Sequence, residues 1–159
     1  MGVDPGIGQL EIADQAAPGS RLEKLEFGTI LTIQDETIDG ALSTWAIYHS
    51  TKALLLWSIE EILRTLKPGA PFFFNLISTY DFKFGKGFAL ETKTFVETRK
   101  GSHGELHHFS DIRDVKEIVN RFSRAVIRQL IRPLELEPYE EPVNEAHPVC
   151  AHWLIQAWK

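Results

Sequence analysis

The chain has 159 residues, with 22 acidic against 17 basic side chains and 43 % apolar residues, enough for one core and too few for two, because domains run to about 100–150 residues. That composition excludes disorder and collagen-like repeats, and a single cysteine, Cys150, excludes an internal disulfide. No apolar run reaches the roughly 20 residues of a membrane-spanning helix, the start lacks a basic-then-apolar leader pattern, and a net charge of −5 argues against nucleic acid as the main partner. The expectation is a soluble, cytoplasmic protein with neither membrane nor nucleic acid as partner.

Met1 to Asp4 reads as a strand end closing on an acid, followed by a turn at Pro5-Gly6. Ile7, Leu10, Ala13 and Ala17 recur at helical spacing until Pro18-Gly19 stops them. Arg21 to Phe27 is an imperfect short strand with Leu22, Leu25 and Phe27 as its apolar members. Ile38 to Ile47 is an apolar strand whose far end carries Ser43, Thr44 and Trp45. Ser50 or Thr51 then caps a helix in which Leu55, Ile59, Ile62, Leu63 and Leu66 form one apolar face. Lys67-Pro68-Gly69 ends it, because proline and glycine cannot continue the helix and a cation suits its negative end. Pro71 to Ile77 is nearly continuous in apolar residues, as expected of a strand covered on both faces.

From 78 to 109 the periodicity disappears, which predicts a lid or acceptor-side insertion, since connections in compact domains are usually about two to six residues. Tyr80, Phe82, Phe84, Phe88 and Phe95 would floor an apolar pocket, with Gly85, Gly87, Gly101 and Gly104 allowing movement. His103, His107 and His108 follow an H-x3-H-H spacing with Glu105 between them, but no second ligand cluster or cysteine accompanies it, so no metal site is expected. Ser110 predicts the N-cap of a helix in which Ile112, Val115, Val119 and Phe122 recur at i, i+3, i+7 and i+10. Two strands, Ala125 to Leu136 and Val149 to Lys159, then form a hairpin across a Glu- and Pro-rich link. The basic stretch from Arg121 to Arg132 is interleaved with apolar residues and reads as a solvated strand face, His147 and His152 as turn and strand residues, and Cys150 as an unreactive thiol without a placed base. The whole of 1–159 reads as one α/β three-layer domain.

The run from Ile38 to His49, the helix ending Ile62-Leu-Arg-Thr-Leu-Lys-Pro-Gly69 and the strand Phe72-Phe-Phe-Asn-Leu76 together resemble the class I S-adenosylmethionine-dependent methyltransferases. The resemblance implies a Rossmann-like, mostly parallel sheet with an antiparallel C-terminal hairpin, S-adenosylmethionine as cofactor and a small-molecule acceptor. It implies that Asp4 accepts hydrogen bonds from the cofactor ribose, an alternative being a helix cap. Glu26 and Phe27 fall where the adenine is held, with Glu23 as an alternative for the acid and a plain surface carboxylate as another reading of Glu26. Ser43, Thr44 and Trp45 fall beside the methionine part, although Trp45 also suits core packing. His49 would take or steer a proton from the acceptor, its alternative being a loop histidine bonded to backbone. Tyr80, His107 and His108 would border the acceptor.

In one respect the sequence departs from the family. A glycine-rich turn of E/D-x-G-x-G-x-G type is expected about twenty residues upstream of Asp4, whereas Met1 stands three residues before it and Gly6 and Gly8 follow the acid. The resemblance therefore covers roughly the last three quarters of the family's fold, an N-terminally truncated version of it. The strands on either side of the missing one are then expected to pair directly or to offer their edges to a second copy, a homodimer. Two functions remain open: a methyltransferase acting on a small molecule by in-line transfer, impaired by the missing turn, and a non-catalytic methyltransferase-like binding or interaction protein.

Overall fold

The computed structural model describes residues 1–4, 6–25, 28–98, 104–133 and 149–159, which form two compact units, Met1–Ile33 and Gln34–Lys159. Glu26, Phe27, Gly101, His103 and His147 lie outside the described residues.

The first unit is a βαβ element: β1 (Gly2–Asp4), α1 (Ile7–Ala16) and β2 (Leu22–Lys24). The two strands run parallel, with Gly2 opposite Leu22 and Asp4 opposite Lys24. Asp4 Oδ1 accepts the Gly6 N–H at 2.7 Å, a side-chain turn that carries the chain from strand to helix. This corrects the reading of Asp4 as a helix cap: Gly6 occupies the N-cap and no side chain bonds there.

The second unit runs β3 (Ala41–Ser43), α2 (Lys52–Thr65), β4 (Pro71–Ile77), β5 (Phe88–Glu91), β6 (Thr94–Val96), β7 (Leu106–His108), α3 (Ile112–Val119), β8 (Arg124–Pro133) and β9 (Val149–Trp158). Its larger sheet has the order β3-β4-β9-β8. β3 and β4 are parallel, whereas β9 runs antiparallel to β4 on one side and to β8 on the other. Strand alternation divides this sheet cleanly. Phe72, Phe74, Leu76, Trp153, Ile155 and Ala157 point into a core that receives Leu55, Ile59 and Leu63 of α2 and Val115 and Ile118 of α3. The intervening residues Leu42, Phe73, Val126 and Leu154 stand on the other face and are exposed. β4 is thus covered on one face by helices while Phe73, 41 % exposed, departs from the expectation of two covered faces.

The helix predicted after Ser50 is α2, with Thr51 as N-cap: its hydroxyl accepts from the Leu54 N–H at 3.3 Å. Gly69 follows it at φ 78°, a left-handed turn that glycine adopts without strain. The strand predicted over Ile38 to Ile47 is shorter than expected. Only Ala41–Ser43 is paired as a strand and Ile38 makes an isolated bridge to Leu66, because Trp45 adopts φ 58° and ends the extended run. The cap of α3 is Asp111 rather than Ser110. Asp111 accepts from Asp114 N–H while the Asp114 carboxylate accepts from Asp111 N–H, a reciprocal capping box.

The segment 78–109 is not a structureless insertion: it contains the antiparallel sheet β5-β6-β7. Strands of three or four residues, with a register shift between Ala89 and Glu91, are too short to show a period in sequence. Gly87, at φ 92°, lies where a Cβ would clash with the Val96 carbonyl oxygen, so glycine is required for this close approach. Lys93 Nζ bridges Asp111 and Asp114 at 2.8 and 2.6 Å, and Lys52 Nζ reaches Asp114 at 3.0 Å, tying the small sheet and α2 to the start of α3. The hairpin β8–β9 follows the expected pairing, from Arg124 opposite Trp158 to Pro133 opposite Val149; its expected extension to Leu136 and its Glu- and Pro-rich link lie outside the described residues. No helix among the described residues is long and apolar enough to cross a membrane.

Candidate functional site

Open α/β sheets bind ligands beyond the carboxyl ends of their parallel strands, and the carboxyl end of β3 is the turn carrying Ser43, Thr44 and Trp45. Alternation turns Ser43 toward the core face and Leu42 and Thr44 toward the opposite face. Trp45 holds a left-handed backbone and is 52 % exposed, which rules out the core-packing alternative. A non-glycine residue at positive φ persists only where its surroundings fix it. Here the carboxamide of Asn75 on β4 does so, its Oδ1 accepting the Trp45 N–H at 2.7 Å. The Asn75 Nδ2 lies 3.3 Å from His152 Nδ1; with Oδ1 acting as acceptor, Nδ2 donates, and His152 is the neutral tautomer protonated at Nε2. The His152 ring in turn meets the Trp45 indole edge-on at 4.4 Å. Burial lowers the His152 pKa to about 4, with the positive charges of Arg132 and Lys83 adding to it.

Beyond Trp45 the chain turns through Tyr48 and His49. Tyr48 is buried, and desolvation, reinforced by Asp81 and Glu105, pushes its hydroxyl pKa upward. The His49 ring lies 4.6 Å from Tyr48 and 4.6 Å from His107 on β7, and Tyr48 stacks with His107 at 6.0 Å. Burial holds the pKa of His49 below its ordinary value, while Glu105 and backbone at Leu106 act in the other direction. The His107 pKa falls to about 4, first through burial and then through the neighbouring His49 and Lys83. Both imidazoles are therefore neutral near pH 7, with lone pairs able to accept a proton or a cation.

His108 does not share this cluster with His107, because adjacent residues of a strand point to opposite sides. His108 Nδ1 bonds Thr94 Oγ1 at 2.8 Å, beside Glu91; its Nε2 is buried with no hydrogen-bond partner among the described residues. Tyr80 is 67 % exposed. In the first unit, Asp4 uses Oδ1 for Gly6, and Oδ2 has no hydrogen-bond partner among the described residues. Glu23, the alternative adenine acid, bonds Arg21 and the Thr32 hydroxyl, which together lower its pKa, Thr32 contributing most. Asn75, Tyr48 and His152 join the candidate site without having been singled out in the sequence, whereas Glu105 was marked there as the acid between the histidines of the H-x3-H-H run. The one signal for Asn75 was its polarity inside the apolar run Phe72 to Ile77.

Leu42, Trp45, Phe73, Asn75, Arg128 and Leu154 border an open groove of about 350 Å³ on the face of the sheet opposite α2 and α3. Apolar walls with a few convergent polar groups are the usual composition of a small-molecule site.

No protein-family model matches the sequence, and no curated protein matches it. Solved structures do. A methyltransferase dependent on S-adenosylmethionine from Methanosarcina mazei matches 99 % of this chain and 80 % of its own at 18 % identity, with a TM-score of 0.68. A possible histamine N-methyltransferase from Thermotoga maritima matches 100 % of this chain and 72 % of its own at 19 % identity, with a TM-score of 0.62. The 1,6-didemethyltoxoflavin-N1-methyltransferase of Burkholderia thailandensis, holding 1,6-didemethyltoxoflavin and S-adenosylhomocysteine, matches 99 % of this chain and 59 % of its own at 13 % identity, with a TM-score of 0.60. With β9 inserted antiparallel between β4 and β8 and these three likenesses, the chain has the fold of the class I S-adenosylmethionine-dependent methyltransferases.

Proposed function

We propose that the protein is a methyltransferase that uses S-adenosylmethionine to methylate a small molecule by in-line transfer. The observation that carries this reading is the half-exposed Trp45, held in a left-handed turn at the carboxyl end of β3 by Asn75 within a sheet of methyltransferase order. The residues present suit the cofactor. A half-exposed indole offers its negative face to a cationic sulfur, and Asp4 Oδ2 is available to hydroxyl donors. When bound, S-adenosylmethionine supplies an already electrophilic methyl group, so the protein has mainly to hold donor and acceptor in line.

In this reading Asp4 holds the ribose, Glu26 and Phe27 the adenine, and Ser43, Thr44 and Trp45 the methionine part. His49 accepts the acceptor's proton: its low basicity keeps it neutral and ready near pH 7. Tyr80 and His107 border the acceptor, whereas the engagement of His108 with Thr94 favours a structural role for it. A small acceptor suits the size of the groove and is the kind of molecule that the Burkholderia thailandensis enzyme holds.

We further infer self-association. Among the described residues β3 pairs with β4 alone, which leaves its other edge open, and Leu42 and Phe73 are exposed beside it. Calorimetric titration of the full chain with S-adenosylmethionine and S-adenosylhomocysteine tests the main reading. Saturable heat from both supports it; no heat and no thermal shift at millimolar ligand sink it. Light scattering tests the second reading, for which a strict monomer is the adverse result.

A further inference from the structure

The ligand-forming atoms of His49, Glu105 and His107 lie within 4.8 Å of one another. We propose that these three residues form a binding site for a divalent cation of the zinc class. Two imidazoles and a carboxylate are a donor set that suits zinc and similar first-row ions, and three protein ligands leave a fourth position for water or for a heteroatom of a bound molecule.

The geometry follows from the chain. Glu105 and His107 are two residues apart on an extended segment entering β7, which sets their side chains on one side. His49 arrives from the turn after Trp45, its ring 4.6 Å from that of His107. The H-x3-H-H run therefore does not supply the set; the second imidazole comes from a loop far away in sequence, a juxtaposition that spacing cannot reveal.

His107 Nε2 stands 4.0 Å from Glu105 Oε2. Its other nitrogen, Nδ1, is 4.0 Å from Glu97 Oε2, which Lys83 engages at 3.4 Å. At 4.0 Å the contact between Nδ1 and Glu97 is not a hydrogen bond, and Glu97 would have to close on Nδ1 to orient the ring as an outer carboxylate does. Tetrahedral zinc with bonds of about 2.0–2.2 Å needs ligand atoms about 3.3–3.6 Å apart, so the triad has to contract by roughly an ångström. Glu105, with 51 % of its side chain exposed, is free to make that movement, whereas His107 is buried and fixed.

An ion here occupies the His49 lone pair to which methyl transfer assigns proton removal. The two uses of His49 are thus mutually exclusive, and zinc inhibits transfer if both hold. The test is calorimetric titration of zinc into the chelator-stripped full chain, with no methyl donor present. One equivalent of zinc is expected, and Glu105→Gln, a substitution on an exposed side chain, should weaken it by about tenfold or more, as should His49→Ala. Cobalt in place of zinc should give the visible absorption of a low-symmetry site, lost in the same variants. Absence of zinc binding, or binding that both variants retain unchanged, overturns the proposal; neither result bears on the S-adenosylmethionine titration.

Discussion

Acidification from pH 7.5 to 5.0 should destabilise the protein through His107 and His152. Both have pKa values of about 4 in the folded state, against about 6.5 in an unfolded chain. The folded values are depressed, so the unfolded state binds more protons below pH 6.5. The stability these groups contribute is complete above that value and is lost as the pH falls toward 4. At pH 5 an unfolded imidazole is almost fully protonated and a folded one only about a tenth so, which costs about 2 kcal/mol per residue, or about 3–4 kcal/mol for the pair. Against a typical total of about 5–15 kcal/mol this is a large loss. His49 and His108 are shifted in the same direction and add to it. The carboxylates do not confuse the window. Asp111, Asp114 and Glu91 are held below their ordinary range by Lys93, Lys52 and backbone donors, which outweigh burial, so they titrate at lower pH. Urea unfolding at the two pH values reads the loss: with a slope near 2 kcal/mol per molar, the midpoint should drop by about 2 M. His152→Gln should remove about half of the drop. Equal midpoints at the two pH values, or a drop that His152→Gln leaves intact, would refute the reasoning.

Phe72→Ala removes a fully buried ring stacked on Phe74 at 4.5 Å and should cost about 3–5 kcal/mol in chemical unfolding. Asn75→Ala leaves the Trp45 N–H and His152 without their partner; a loss of about 1–3 kcal/mol is expected, together with weaker S-adenosylmethionine binding by calorimetry. Trp45→Gly should cost less stability than Phe72→Ala, because relief of the left-handed backbone, about 1 kcal/mol, offsets the lost contact with His152, yet it should abolish cofactor heat. Asp111→Ala dismantles the capping box of α3 and should lower stability by about 1 kcal/mol, read as a shift in the thermal midpoint.

Elements with long apolar periods were legible: α2 carries four turns of regular spacing, and the hairpin β8–β9 has ten-residue strands. β5, β6 and β7 were not, because strands of three or four residues complete too little of a period. The end of the strand before Trp45 is hidden from the sequence for a different reason. Its sequence remains apolar to Ile47, and only a tertiary contact from Asn75, thirty residues on, stabilises the left-handed turn. The site shows the same division. Trp45 and His49 are candidates that the strand end bearing them points to in sequence, whereas Tyr48, Glu105 and His152 meet them through packing between elements far apart in sequence.

The position of β9 constrains the order of events during synthesis. It forms the middle of the larger sheet, bonded on both sides, yet it is made about seventy residues after β4. Until it emerges, β4 has an unpaired edge, β8 has no partner in that sheet, and Trp153, Ile155 and Ala157 are missing from the core. Such an edge invites pairing with other chains, and closing a loop of that length is slow. The nascent protein thus passes through a stage in which helices α2 and α3 have only the β4 part of the wall they pack on, and in which a chaperone that shields strand edges has most to protect.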